Sequence, residues 1–284
     1  MSFTNNFRTV ILLGALTALL LWVGDLVGGP TGLAIALIFA LILNFVSFWY
    51  SDKIVLKMYR AQPAPRNSRL HKLVSEVAHM AQIPVPKAYI VPGAHPNAFA
   101  TGRDPKHAAV AATEALINML NDSELKGVIA HEISHIKNRD TLIQAVAATI
   151  AGVISYVAMM ARFAAIFGGF GGRDNDDGNF AELIVLAILT PLLAAIIQMA
   201  ISRSREYQAD ESAARTLHDT TGLASALGKI EHGIRQAPLR ANSNTETTAH
   251  LFIANPFRGT GLVALFSTHP PMKQRIDRLK SLVL

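Results

Sequence analysis

No cysteine occurs anywhere in the 284 residues. That absence excludes thiolate metal ligands and a cysteine nucleophile together, and it agrees with a reducing compartment. Charge is scarce as well: 16% of residues are charged against 51% hydrophobic, and the mean hydropathy is +0.31. This balance is too apolar for an ordinary soluble domain and points to a membrane protein. Low-complexity tracts are missing as well. The formal charge of +6 and pI near 9.7 raise nucleic acid as a partner. No aromatic-rich basic recognition motif accompanies them, which argues for no nucleic acid. The basic residues cluster beside apolar stretches, where anionic lipid headgroups account for them.

Four apolar stretches are long enough to cross a bilayer: Thr9–Val27, Gly32–Tyr50, Leu142–Phe167 and Phe180–Ile201. They form two hairpins, and the first stretch reads as a retained span rather than a cleaved signal, because a Gly-Gly-Pro-Thr-Gly turn and another span follow it. Lys53, Lys57, Arg60, Arg66, Arg69 and Lys72 follow the second span, whereas the turns at Gly28–Thr31 and Gly168–Asn179 carry only Arg173. The positive-inside bias then puts both termini and the central segment on the cytoplasmic side. Four segments are expected: an N-terminal hairpin (1–50), a first cytoplasmic part (51–140), a second hairpin (141–201) and a C-terminal part (202–284).

The most informative residues are His131-Glu132-Ile133-Ser134-His135. Histidines four apart lie one turn from each other on one helix face, so both imidazoles can reach one metal ion, and zinc, one per chain, suits them. Glu132 projects beside the metal, where its carboxylate can take a proton from the attacking water. Asn121, with Glu124 three positions on, reads as the start of this helix. A catalytic site of this kind needs a third protein ligand and an open position. Ser202-Arg203-Ser204-Arg205-Glu206-Tyr207-Gln208-Ala209-Asp210 offers two carboxylates, again four apart. Glu206 can ligate the metal, and Asp210 can accept the free N–H of a ligating histidine. The competing reading is a solvated charged face, with Arg203, Arg205, Glu206, Asp210 and Glu211 pairing along an exposed helix.

Before the pentad, Leu70, Leu73, Val74, Val77 and Met80 give one helical face, closed by Pro84 and Pro86. Ala88–Val91, Ala98–Thr101 and Ala108–Ala112 are short apolar runs between Pro, Gly and Asp, expected to form a small antiparallel sheet. A sheet edge beside a protease site can bind substrate as an added strand. The stretch Ala61–Arg66 reads as linker, and Ser212–Arg235 as one continuous helix.

In order along the chain, a hairpin, Asn97-Ala98-Phe99-Ala100-Thr101-Gly102, the pentad, a second hairpin, Ser202–Asp210 and Ser267-Thr268-His269-Pro270 resemble the HtpX family of bacterial membrane-bound zinc metalloproteases, related to the CAAX prenyl proteases. The resemblance covers essentially the full length. It implies a mainly α polytopic membrane protein: four transmembrane helices in two hairpins plus a cytoplasmic α+β zincin-like (gluzincin) domain. It implies a stress-linked endopeptidase of the bacterial inner membrane that cleaves misfolded or unfolded membrane proteins, and also itself, next to the lipid bilayer. Carried over by residue, His131, His135 and Glu206 become the ligands, Glu132 the base and Asp210 the partner behind a ligand. His269 matches a histidine that stabilises the oxyanion or occupies the water position at rest, with a helix-capping role as its competitor. Asn97 would lie on the substrate-binding strand, with a structural turn as competitor.

Two other classes of function stay open on these residues. An intramembrane protease uses the same pentad inside an apolar span, but here Asp122, Glu124, Lys126, Lys137 and Arg139 flank it. A non-enzymatic scaffold or holdase with a structural metal would normally need four protein ligands, which a permanent His269 ligand would supply.

Overall fold

The computed structural model describes residues 2–144, 146, 203–236, 253 and 270–284. The third and fourth apolar stretches therefore lie outside the described residues apart from 142–144 and 146, as does His269. The elements are helix α1 (Ser2–Met58), strand β1 (Gln62–Pro63), α2 (Arg69–Ala81), β2 (Lys87–Val91), β3 (Ala98–Gly102), β4 (Ala108–Thr113), α3 (Glu114–Met119), α4 (Asp122–Asn138), α5 (Arg203–Leu217), α6 (Thr221–Gln236) and α7 (Met272–Ser281).

Helix α1 is broken at Gly29 (φ 56°, ψ −142°), with Pro30 next. Glycine tolerates that left-handed φ, and proline opens the next helix. The two arms fold back on each other: Asn44 Nδ2 donates to Thr17 Oγ1 at 2.8 Å, and a Cβ on Gly24 would sit 2.5 Å from the Ala36 Cβ. Among the described residues, the 23-residue stretch Gly28–Tyr50 is long and apolar enough to span a bilayer, and Thr9–Trp22 is a shorter apolar helix. The second arm leaves Ile35, Ile38, Phe39, Leu41, Ile42 and Phe45 exposed. So large an exposed apolar surface marks a face for contact with a membrane or with another apolar surface.

The four strands pair in the order β1-β2-β4-β3. The sheet is mixed, which corrects the expectation of an antiparallel one: β2 runs parallel to β4, while β1–β2 and β3–β4 are antiparallel. All six residues of β4, Ala-Ala-Val-Ala-Ala-Thr, are buried. A strand covered on both faces belongs inside a sheet, so β4 enters between β2 and β3 instead of extending a meander. Small side chains let both layers come close. Val55 and Leu56 at the end of α1 pack on Val91, Phe99, Ala109 and Ala111. On the opposite face, Ala98, Ala100, Val110 and Ala112 join the core formed with α2, α4, α6 and α7. β1 arises within the stretch read as linker.

Helix α4 begins with the capping box expected from its sequence: Glu124 N–H donates to Asn121 Oδ1 and Asn121 N–H to Glu124 Oε2, both at 2.9 Å. Its neighbour α6 approaches at Gly127, where an added Cβ would lie 2.7 Å from Leu223 N and 2.8 Å from Leu223 Cα. Backbone cannot yield as a side-chain tip can. Gly127→Ala is therefore expected to destabilise the fold by about 1–3 kcal/mol, read as a lowered apparent Tm of the detergent-solubilised chain.

The helix read as Ser212–Arg235 is two helices. His218 takes a left-handed φ of 50°, and Asp219 caps α6 by accepting from Thr221 N–H at 2.8 Å and Gly222 N–H at 3.2 Å. Asp before Thr-Thr-Gly was the available signal. Met80, assigned to the buried face of α2, is 44% exposed.

Candidate metal centre

His131 and His135 project from α4 toward α5, and Glu206 and Asp210, one turn apart on α5, face them. All four are buried, as is Glu132. Glu206 and Asp210 thus leave the solvated face to Arg203 and Ser204, which are exposed.

Each histidine has its Nδ1 committed to a carboxylate. His131 Nδ1 lies 2.9 Å from Asp210 Oδ1, and His135 Nδ1 lies 3.1 Å from Asp140 Oδ2. A carboxylate accepts, so Nδ1 carries the hydrogen and each Nε2 presents a lone pair. These lone pairs converge: the two Nε2 atoms are 3.2 Å apart, Glu206 Oε2 is 3.5 Å from His131 Nε2, and Glu206 Oε1 is 3.4 Å from His135 Nε2. Tetrahedral coordination with bonds of about 2.0–2.1 Å sets donors roughly 3.3–3.4 Å apart. The residues fit three corners of such a shell, and the ligand atoms of His131, His135 and Glu206 form one cluster.

Three electron-rich atoms so close in a buried site favour positive charge between them, carried by a proton or by a metal ion. Burial by itself pushes the His131 pKa down, but the hydrogen bonds to Asp210 and Glu206 outweigh it and the net shift is upward. For His135 the same competition, with Asp140 and Glu206 as partners, ends with the pKa raised to about 10. A metal ion entering here would displace protons.

Glu132 stands apart from the three ligands. Burial raises its pKa above the ordinary carboxylate range, opposed by the two histidines and by a hydrogen bond from the Ala100 backbone. It is therefore held against β3, at an edge of the sheet, beside the donor cluster.

Asp140 and Arg275 were not identified as site residues from sequence. Asp140 follows His135 by five residues, outside helical register, and reaches back because Arg139 closes α4 in the left-handed region at φ 60°. Arg205 approaches the other oxygen of Asp140 at 3.7 Å. Arg275, 0% exposed, donates to both oxygens of Asp210, through Nε at 2.8 Å and Nη2 at 2.7 Å. Its Nη1 donates to the Ile253 carbonyl at 3.2 Å and lies 3.5 Å from Glu206 Oε2. Burial opposes the Asp210 charge, but Arg275 and His131 overcome it and hold its pKa near 2. The readable signal for Arg275 was its spacing: Met272, Arg275 and Leu279 share the buried face of α7, so an arginine occupies a core position. Asn97 is buried; its Oδ1 accepts from Ile253 N–H at 3.0 Å, and its backbone exchanges hydrogen bonds with Thr113. Ile253 is thereby clasped between Asn97 and Arg275.

Removing the partner behind a ligand typically weakens metal binding 10–100-fold. Asp140→Ala is expected to weaken it by roughly that factor, checked by competition with a chelating dye in detergent, with the fold monitored by circular dichroism.

Residues 64–283 match peptidase family M48. The chain is 52% identical over 280 residues to a protease HtpX homolog of Syntrophotalea carbinolica, covering 99% of both chains. It is also 52% identical over 279 residues to a protease HtpX homolog of Pyrococcus furiosus, covering 98% of this chain and 96% of that protein. Among solved structures, the crystal structure of Ste24p from S. mikatae aligns with a TM-score of 0.53 at 19% identity, over 98% of this chain and 66% of that one. At that identity the likeness concerns the fold.

Proposed function

This chain belongs to peptidase family M48 as an HtpX-like metalloprotease, and from that premise we propose that it is a zinc endopeptidase of the membrane surface with His131, His135 and Glu206 as ligands. The single observation that carries the ligand set is the convergence of two Nε2 lone pairs and one carboxylate at 3.2–3.5 Å. Zinc suits a nitrogen and oxygen donor set in a chain without cysteine. When bound, it would polarise the scissile carbonyl and acidify a water molecule.

The protein's own groups do the rest. Glu132, with its raised pKa, accepts the proton of the attacking water and returns it to the leaving amine. Asp210 and Asp140 fix the tautomers of His131 and His135, and Arg275 keeps Asp210 ionised. Burial of the whole cluster keeps bulk water from it, and unfolded segments are the substrates we propose for it. β3 borders Glu132 and can orient such a segment by backbone pairing, with Asn97 anchoring the start of that strand. For His269, which lies outside the described residues, the oxyanion role implied by the family resemblance stands beside its helix-capping competitor.

The exposed apolar second arm supports a lipid-embedded N-terminal hairpin, and the loop charges support a cytoplasmic site in a bacterial inner membrane. Misfolded membrane proteins, and the chain itself, are then the substrates within reach. The scaffold and intramembrane readings gain no support: the pentad helix belongs to the core shared with α2 and α6, and Asp122 at its start is ion-paired at the surface with Arg69.

The test is purification in detergent with a chelator, followed by restoration of zinc. Cleavage of an unfolded protein should appear only after restoration. Cleavage in the stripped sample would overturn the proposal.

A further inference from the structure

β3 joins the candidate site, through the hydrogen bond from the Ala100 backbone to Glu132, to the end of the apolar arm. Two contacts tie β3 and Arg103, the residue after it, to α1 and Tyr59, the residue after that helix. The Arg103 guanidinium lies over the Trp49 ring, 4.5 Å from its centroid, and the Phe99 and Tyr59 rings are 5.0 Å apart. Along α1, Trp49 to Tyr59 rises about 15 Å. Along the extended chain, Phe99 to Arg103 spans about 13 Å. The two lengths nearly match, so β3 stands along the axis of the arm and runs toward the membrane. Val55 and Leu56, packed between these contacts on Phe99, Ala109 and Ala111, keep strand and helix in step.

The lower end of β3 coincides with two membrane exits. Trp49 and Tyr50 close the apolar stretch Gly28–Tyr50, the position that Trp and Tyr favour at the headgroup level. The second exit is independent of the first: Thr141 Oγ1 donates to the Gly102 carbonyl at 2.8 Å, and the apolar stretch Leu142–Phe167 begins at the next residue. Gly102 and Arg103 therefore mark the bilayer boundary from both sides. Glu132 accepts a hydrogen bond from the backbone of Ala100, two to three residues farther out, or about 7–10 Å above that boundary.

We propose that the upright β3 acts as a ruler: the enzyme takes extended segments of membrane-anchored polypeptides and cuts them at a set distance from the bilayer, with the first accessible bond about 3–5 residues beyond the last embedded residue. A bond nearer the anchor cannot reach Glu132 without drawing apolar residues out of lipid. Register along the substrate is then set by the membrane and not by side-chain pockets. This deepens the peptidase reading and rests on it.

The full chain in proteoliposomes with zinc provides the test. Each substrate carries one transmembrane anchor and the same unstructured tether, displaced outward by zero, two, four or six inserted residues. Cut positions are read by mass spectrometry. Cuts should keep a constant count from the anchor and slide along the tether sequence as residues are inserted, and bonds inside the limit should be cleaved roughly tenfold less or worse. Cuts that stay with the same tether sequence, or equal cleavage of the first residues outside the anchor, would overturn the ruler. An unfolded soluble protein is added to the same vesicles. If wild type leaves it intact, the peptidase reading fails; if it is cut while anchored substrates ignore distance, the ruler alone fails.

Discussion

Glu132→Gln is expected to lower peptide-bond hydrolysis by roughly 10²–10⁴-fold while leaving the metal bound. The substitution keeps the size and an oxygen acceptor for the Ala100 N–H, so β3 and α4 stay in register. It removes the one buried carboxylate of the cluster that is not a ligand and does not hold a ligand's tautomer. A glutamine can neither take the water's proton nor return it to the amine, and the loss should fall on kcat with little change in KM. Single-turnover cleavage of an unfolded protein, with metal content measured on the same sample, reads both quantities. Full activity in this variant would remove Glu132 from the mechanism; loss of metal would assign it to the ligand shell.

The largest effect on stability is expected from Arg275→Met. Arg275 is wholly buried and makes two charge-assisted hydrogen bonds to Asp210. Methionine fills similar volume but leaves Asp210 ionised without its guanidinium partner. Breaking one side of a buried pair costs about 3–5 kcal/mol. The pH dependence has a defined sign. Asp210 has its folded pKa depressed from 3.8 to about 2, so its contribution is fully present above 3.8 and is lost as pH falls toward 2. The gap in apparent Tm between wild type and Arg275→Met should thus be widest at neutral pH and narrow as the solution is acidified below about pH 4. A gap that does not vary with pH would mean that Arg275 acts through packing alone. Metal affinity should drop as well, because Asp210 then has reason to hold the proton that belongs on His131 Nδ1.

The divide between what the sequence revealed and what it concealed follows periodicity and reach. Asn121 and Glu124 lie three apart and their capping box is local, so α4 could be located to the residue. His131 and His135 share a face by helical spacing, and Glu206 and Asp210 repeat that spacing on the facing helix. Asp140 was invisible because its bond to His135 depends on the backbone of Arg139 adopting φ 60°, which no side-chain pattern announces. Arg275 was hidden by its charge: it interrupts a buried face that includes Met272 and Leu279. β2, β3 and β4 were legible as apolar runs, whereas the two-residue β1 was read as linker; the strand order was not legible, because β4 inserts between β2 and β3 for reasons of burial on both faces. The Asn97–Ile253–Arg275 clasp joins residues 156 and 22 positions apart, a distance at which spacing carries no information.

Zinc K-edge X-ray absorption on the full chain loaded with one equivalent of zinc, compared between wild type and Glu206→Ala, tests the proposed metal centre most directly. The account predicts a shell of nitrogen and oxygen donors at about 2.0–2.1 Å with two imidazoles in wild type. Glu206→Ala should lose a carboxylate donor and bind zinc far more weakly. A wild-type spectrum unchanged by loss of Glu206, with zinc held as tightly, would contradict it.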